Sequence, residues 1–120
     1  MKRNLAIYLS DIIENIAQAE NFIDSMTFEQ FIADRKTVYA VIRCFEIIGE
    51  ATKNIPADIR LLNSAIPWSD MARMRDKCIH AYWGIKYQII WKAIKDELPL
   101  FVPQLKVLLT NLRDDQEKKF

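Results

Sequence analysis

Residues 35–53 read RKTVYAVIRCFEIIGEATK, and this stretch decides the fold class. Val38, Val41, Ile42, Phe45, Ile47 and Ile48 recur at the three- and four-residue spacing of a helix face. In the second half the apolar residues spread over more than one face, as expected of a helix with neighbours on several sides. Asn54 and Pro56 supply the stop, so the predicted helix runs from about Arg35 to Lys53 and is central. Gly49 lies inside it, where glycine costs about 1 kcal/mol relative to alanine. A close crossing by another helix is the simplest reason to keep it. Glu46 and Glu50 sit one turn apart, either on a solvated face or paired with a basic group near a site or on a partner chain.

Working outward, Leu5, Tyr8, Ile12, Ile16, Ala19 and Ile23 predict an amphipathic helix from about Asn4 to Ser25. Thr27 and Gln30 have the form of a capping box, which starts a short helix from Phe28 to about Ala33. On the other side, Pro56 fits the first position of a short helix ending near Leu62, and Pro67 opens the next in the same way, with Ser69 and Asp70 in its first turn. A helix from about Lys86 to Glu97 is expected to bury Ile89, Ile90, Ala93 and Ile94, with Trp91 at its side. Pro99 interrupts the ladder. A last helix, about Leu100 to Arg113, presents Leu105, Leu108, Leu109 and Leu112, and a flexible polar tail follows from about residue 114. The chain has 120 residues with two glycines and four prolines, too few turn formers for a many-stranded sheet. The expected architecture is an all-α, up-and-down bundle of four to six helices, one domain over residues 1–120.

Lys and Arg number 17 against 16 Asp and Glu, a formal charge of +1. Any nucleic-acid-binding face must therefore be local, built from Arg73, Arg75, Lys77 and Lys86. No apolar run approaches the roughly 20 residues that span a bilayer, and the N-terminus lacks a signal-peptide core, so a cytoplasmic protein without a membrane partner is expected. Cys44 and Cys78 belong to no CxxC or Cys/His cluster and are expected as reduced, packed thiols rather than a disulfide or metal site.

Residues 67–85, PWSDMARMRDKCIHAYWGI, hold the lone histidine and two of the three tryptophans. Arg75, His80 and Tyr82 form the pattern R-x4-H-x-Y. On an ideal wheel at about 100° per residue, Met71, Met74, Cys78, Ala81 and Ile85 make a core stripe, with no cofactor box implied. A second sector holds Trp68, Arg75, Ile79, Tyr82 and Trp83. Two apolar sides need two things to bury against, the core and either a neighbouring helix or a second subunit. Aromatics beside an arginine are enriched at interfaces, which points to a homodimer with this helix near the two-fold axis. On the same wheel His80 lies about 140° from Arg75. Either the helix bends toward Gly84, or the arginine reaches round, or the cleft mixes residues of two subunits.

The R-x4-H-x-Y pattern occurs in order with RCFEIIGEA (43–51), Pro67-Trp68 and WKAIKDELP (91–99). In these motifs, over roughly residues 35–100, the chain resembles HepT, the toxin half of the HepT/MntA toxin–antitoxin pair, in the HEPN superfamily of α-helical, metal-independent ribonucleases. The resemblance implies a homodimer around a composite cleft, an RNA substrate and no cofactor. His80 becomes the general base for the RNA 2′-hydroxyl, or the acid for the leaving 5′-oxygen. Arg75 becomes the phosphate clamp. Asp76 takes the polar position after the arginine, orienting histidine or substrate; Arg73 and Lys77 of the local basic face named above are the further candidate RNA contacts. Tyr82 corresponds to the tyrosine to which an MntA nucleotidyltransferase attaches AMP, inactivating the toxin by charge and bulk. A lone histidine on a helix is ordinarily structural, and an unaided Tyr82 is a core or interface aromatic; the accompanying motifs make them candidates. The alternative is a catalytically idle HEPN adaptor that binds a nucleotidyltransferase or a nucleotide.

Overall fold

A computed structural model of the chain describes residues 5–76 and 87–117, with side chains as far as Asp114. Every regular element among the described residues is helical, as the patterning predicted. The elements are α1 (Leu5–Ile23), α2 (Phe28–Ala33), α3 (Arg35–Lys53), α4 (Ala57–Leu62), α5 (Trp68–Ala72), α6 (Tyr87–Lys92) and α7 (Val102–Glu117). The most extensive packing is α1 on α3; α7 also packs on α1, and α5 on α3. Leu9, Ile12 and Ile16 of α1 meet Val41, Phe45 and Ile48 of α3 in a core that also takes in Phe31, Met71, Ile90, Ile94 and Leu105. The central position expected for α3 is thus observed.

Local signals set the boundaries of α2 and α3. The capping box is complete: Gln30 N–H donates to Thr27 Oγ1 at 3.1 Å, and Thr27 N–H donates to Gln30 Oε1 at 2.9 Å. Asp34 then ends α2, its N–H donating to the Phe31 carbonyl at 3.1 Å. It also starts α3, where its carboxylate accepts from Thr37 N–H at 3.3 Å and from Thr37 Oγ1 at 2.9 Å. One residue punctuates two helices. The Thr37 hydroxyl, and after it the Thr37 N–H, hold the Asp34 carboxyl below its ordinary value of 3.8. A depressed folded pKa stabilises the native state above the unfolded value, and the stabilisation disappears as pH falls through the folded one. Asp34→Ala should therefore melt earlier than wild type at pH 7, and the gap should close below pH 3.8. Thermal melts at several pH values check this.

Downstream the chain departs from the regular helices expected. The helix predicted to reach Glu97 stops at Lys92, widens into a π turn over Ala93–Glu97 and tightens into a 3-10 turn over Leu98–Phe101. Pro99 has no N–H to continue the α ladder, and its ring would strike the carbonyl four residues back. The last helix consequently starts at Val102 rather than Leu100, with Pro103 in its first turn, and continues to Glu117. Ile89, expected in the core, is 41% exposed, while its neighbour Ile90 is buried. Trp91 is half-buried and joins α6 to α2: its ring stands edge-on to Phe28 at 5.8 Å and tilted against Phe31 at 5.4 Å. The Lys95 ammonium sits 5.2 Å from the Trp91 ring centroid. Among the described residues, no helix is long and apolar enough to cross a membrane.

Candidate active site

Arg75 is placed by three anchors upstream of it. The Trp68 indole N–H donates to the Asn63 carbonyl at 3.1 Å, tying the start of α5 to the end of α4. Met71 and Met74, at 0% and 3% exposure, fix the inner face of the segment in the core, as the wheel predicted. Between them the α-helix breaks. Arg73 sits at φ −83°, ψ 0° and its N–H turns back to Ser69 and Met71 carbonyls, after which Met74–Asp76 wind as helix again. The single undistorted helix assumed for the wheel is therefore interrupted two residues before Arg75, well ahead of Gly84. His80, Tyr82 and Lys77 lie outside the described residues, as do Cys78, Trp83, Gly84 and Lys86.

The third anchor is Gly49. A Cβ built there would stand 2.9 Å from the Arg75 backbone nitrogen, 3.1 Å from Arg75 Cβ and 3.2 Å from the Ala72 carbonyl oxygen. Two of these atoms are backbone, so only glycine lets α3 and the arginine segment come this close. The close crossing inferred from sequence is thus present, and its partner is the motif itself.

From this crossing the Arg75 side chain runs out to solvent, 51% exposed, and one guanidinium nitrogen donates to Glu50 Oε2 at 3.3 Å. Glu50, 62% exposed, is the residue next to Gly49. Glu50 is thus on a solvated face and also paired with a basic group of the motif. At this exposure the ion pair contributes about 1 kcal/mol at most. The contact occupies one N–H of the five that a guanidinium carries. Arg73 is likewise paired, with Asp70 at 3.0 Å across one helical turn. Of the basic face expected from Arg73, Arg75, Lys77 and Lys86, the two described members each face a carboxylate. Asp76 is exposed.

Beside Glu50 a groove of about 240 Å³ runs between α1 and α3, lined by Tyr8, Asp11, Arg43, Glu46, Glu50 and Asn54 among others. Tyr8 and Asp11 were not legible as site neighbours, because Tyr8 fits the apolar period of α1 and nothing local ties that helix to the motif. A larger hollow of about 490 Å³ lies between residues 62–66 and α7, with no residue of the motif in its lining. Neither hollow has Arg75 in its lining. Cys44 is buried, and burial pushes its thiol up, away from the reactive thiolate. Among the described residues, no three His, Cys, Asp or Glu side chains are grouped so as to hold a metal.

Comparison with known proteins bears on this arrangement. The family model described as ribonuclease HepT-like matches residues 12–108. A Thermococcus cleftensis protein named "Probable ribonuclease HepT" is 52% identical over 99 residues, 82% of this chain and 90% of that protein. Two Methanocaldococcus jannaschii proteins, both provisionally named RNases, are 40% and 39% identical over 116 residues, in each case 97% of this chain and 96% of the relative. No solved structure matches the chain at the same level of significance.

Proposed function

The chain belongs to the ribonuclease HepT-like family, and on that premise we propose that it is an endoribonuclease that cleaves RNA without metal and acts as the toxin of a toxin–antitoxin pair. Arg75 carries the reading: a half-exposed guanidinium, its backbone fixed by the Gly49 crossing, with four of its five donors uncommitted by the Glu50 contact. That is what a clamp for a polymer phosphate requires.

The chemistry follows from two side chains. His80 accepts the proton of a ribose 2′-hydroxyl as that oxygen attacks the adjacent phosphorus. The bond to the 5′-oxygen breaks, and this oxygen takes up a proton from water, giving a 2′,3′-cyclic phosphate on one fragment and a 5′-hydroxyl on the other. Arg75 offsets the charge that builds on the non-bridging oxygens. Asp76 orients the imidazole or the substrate, and Arg73 and Lys77 bind flanking phosphates, Arg73 after exchanging its Asp70 contact for RNA. A homodimer with the motif near its two-fold axis would join two copies of this face into one cleft. Tyr82, two residues past His80, is the AMP acceptor for an MntA-like nucleotidyltransferase antitoxin; an adenylate there would compete for Arg75 and fill the RNA path.

The adaptor alternative draws on the ion pairs that occupy both described arginines of the motif. Growth on expression without the neighbouring gene separates the two. Wild type should arrest growth and degrade RNA, and Arg75→Ala or His80→Ala should relieve both. Co-expression with the nucleotidyltransferase should add mass in AMP steps that vanish in Tyr82→Phe. If wild type and both mutants are equally harmless and RNA stays intact, the adaptor reading replaces this one.

A further inference from the structure

We infer that Glu50 is the positioning residue for Arg75: it holds the guanidinium by one edge so that the remaining donors meet the scissile phosphate already oriented. The inference rests on the ribonuclease reading above and deepens it. Three observations carry it. The contact joins positions 25 apart in sequence, so it is not a helix-surface pair formed by adjacency. Glu50 follows directly on Gly49, the point where α3 and the Arg75 backbone come within 2.9 Å of a notional Cβ. Both ends of the pair are thus fixed at the crossing, and little backbone freedom is lost in forming it. The contact is also single, one guanidinium nitrogen to one carboxylate oxygen at 3.3 Å. A bidentate partner would occupy the fork that a phosphate needs; a single contact leaves it open.

Position and charge pull in opposite directions here. The Glu50 carboxylate orients the arginine, yet its negative charge beside the phosphate site opposes RNA binding. Glutamine keeps an acceptor oxygen at the same reach and removes the charge, whereas alanine removes both. This separates holding from charge neutralisation.

Cleavage of a labelled single-stranded oligoribonucleotide by purified wild type, Glu50→Ala, Glu50→Gln, Arg75→Ala and the Glu50→Ala/Arg75→Ala double variant tests the assignment. Glu50→Ala should lower kcat roughly fivefold through loss of orientation, the most that an exposed pair of this strength can bias. Glu50→Gln should keep kcat within about twofold of wild type with a lower KM, since the acceptor remains and the repulsion is gone. Adding Glu50→Ala to Arg75→Ala should cause no further loss, because the effect passes through the arginine. Melting temperatures of all variants confirm that they are folded. With wild type active and Arg75→Ala crippled, equal kcat for wild type and Glu50→Ala, or an equal loss in both Glu50 variants, overturns this assignment alone. Absence of cleavage by wild type, or undiminished cleavage by Arg75→Ala, overturns the ribonuclease reading and this inference with it.

Discussion

Arg75→Ala is expected to slow RNA cleavage by about 10²–10³-fold, the usual cost of removing one donor that stabilises transition-state charge, while the protein stays folded. The side chain is half exposed and its described polar partner is Glu50, itself exposed. Surface changes of this kind lie within roughly 0.5 kcal/mol, or about 2 °C in melting temperature. Alanine also retains the Cβ that packs 3.1 Å from the notional Gly49 Cβ, so the helix crossing survives the substitution. Arg75→Lys should fall between the two, since lysine keeps the charge and lacks the planar fork. Cleavage assays paired with thermal melts check both halves. A variant that loses activity because it unfolds would not support the clamp role.

The second large effect should come from the opposite side of the same crossing. Gly49→Ala gains about 1 kcal/mol of helix propensity, but its new methyl must displace backbone at Arg75 and Ala72, and overpacking typically costs about 1–3 kcal/mol. Gly49→Val adds two further methyls and surrenders most of the propensity gain. We expect it to lose about 3 kcal/mol, roughly 10 °C in melting temperature, and to cleave RNA poorly even where it remains folded, because the segment carrying Arg75 is pushed off α3. Thermal melts and assays well below the transition measure this. Gly49→Ala that melts above wild type would mean that propensity outweighs the contact and that the crossing is loose.

These two residues also mark how far the sequence could be read. The ends of α2 and α3 follow from capping signals within a few residues of each boundary, Thr27 with Gln30 and Asp34 with Thr37, and such local chemistry is legible one stretch at a time. Gly49 announced a close approach because its helix-propensity cost demands a reason, but which element approached is a tertiary fact. The break at Arg73 carried no local warning: Ala-Arg-Met contains nothing that forbids a helix, and the turn appears where Trp68 is tied to Asn63 and Met71 and Met74 are both buried. The wheel that put Trp68 and Arg75 in one sector assumed continuity through that point; Trp68 is buried and Arg75 half exposed. Pro99 signalled an interruption correctly, yet not that the ladder would widen into a π turn several residues before it. The groove that unites Tyr8 and Asp11 with Glu50 depends wholly on how α1 lies on α3.

The central claim is tested most directly by the ends of the RNA that the purified protein produces in excess EDTA. The account predicts fragments ending in a 2′,3′-cyclic phosphate and a 5′-hydroxyl, formed by wild type and lost in Arg75→Ala and His80→Ala alike. Intact RNA, fragments that persist in both variants, or cleavage that stops on chelation and leaves a 3′-hydroxyl would contradict it.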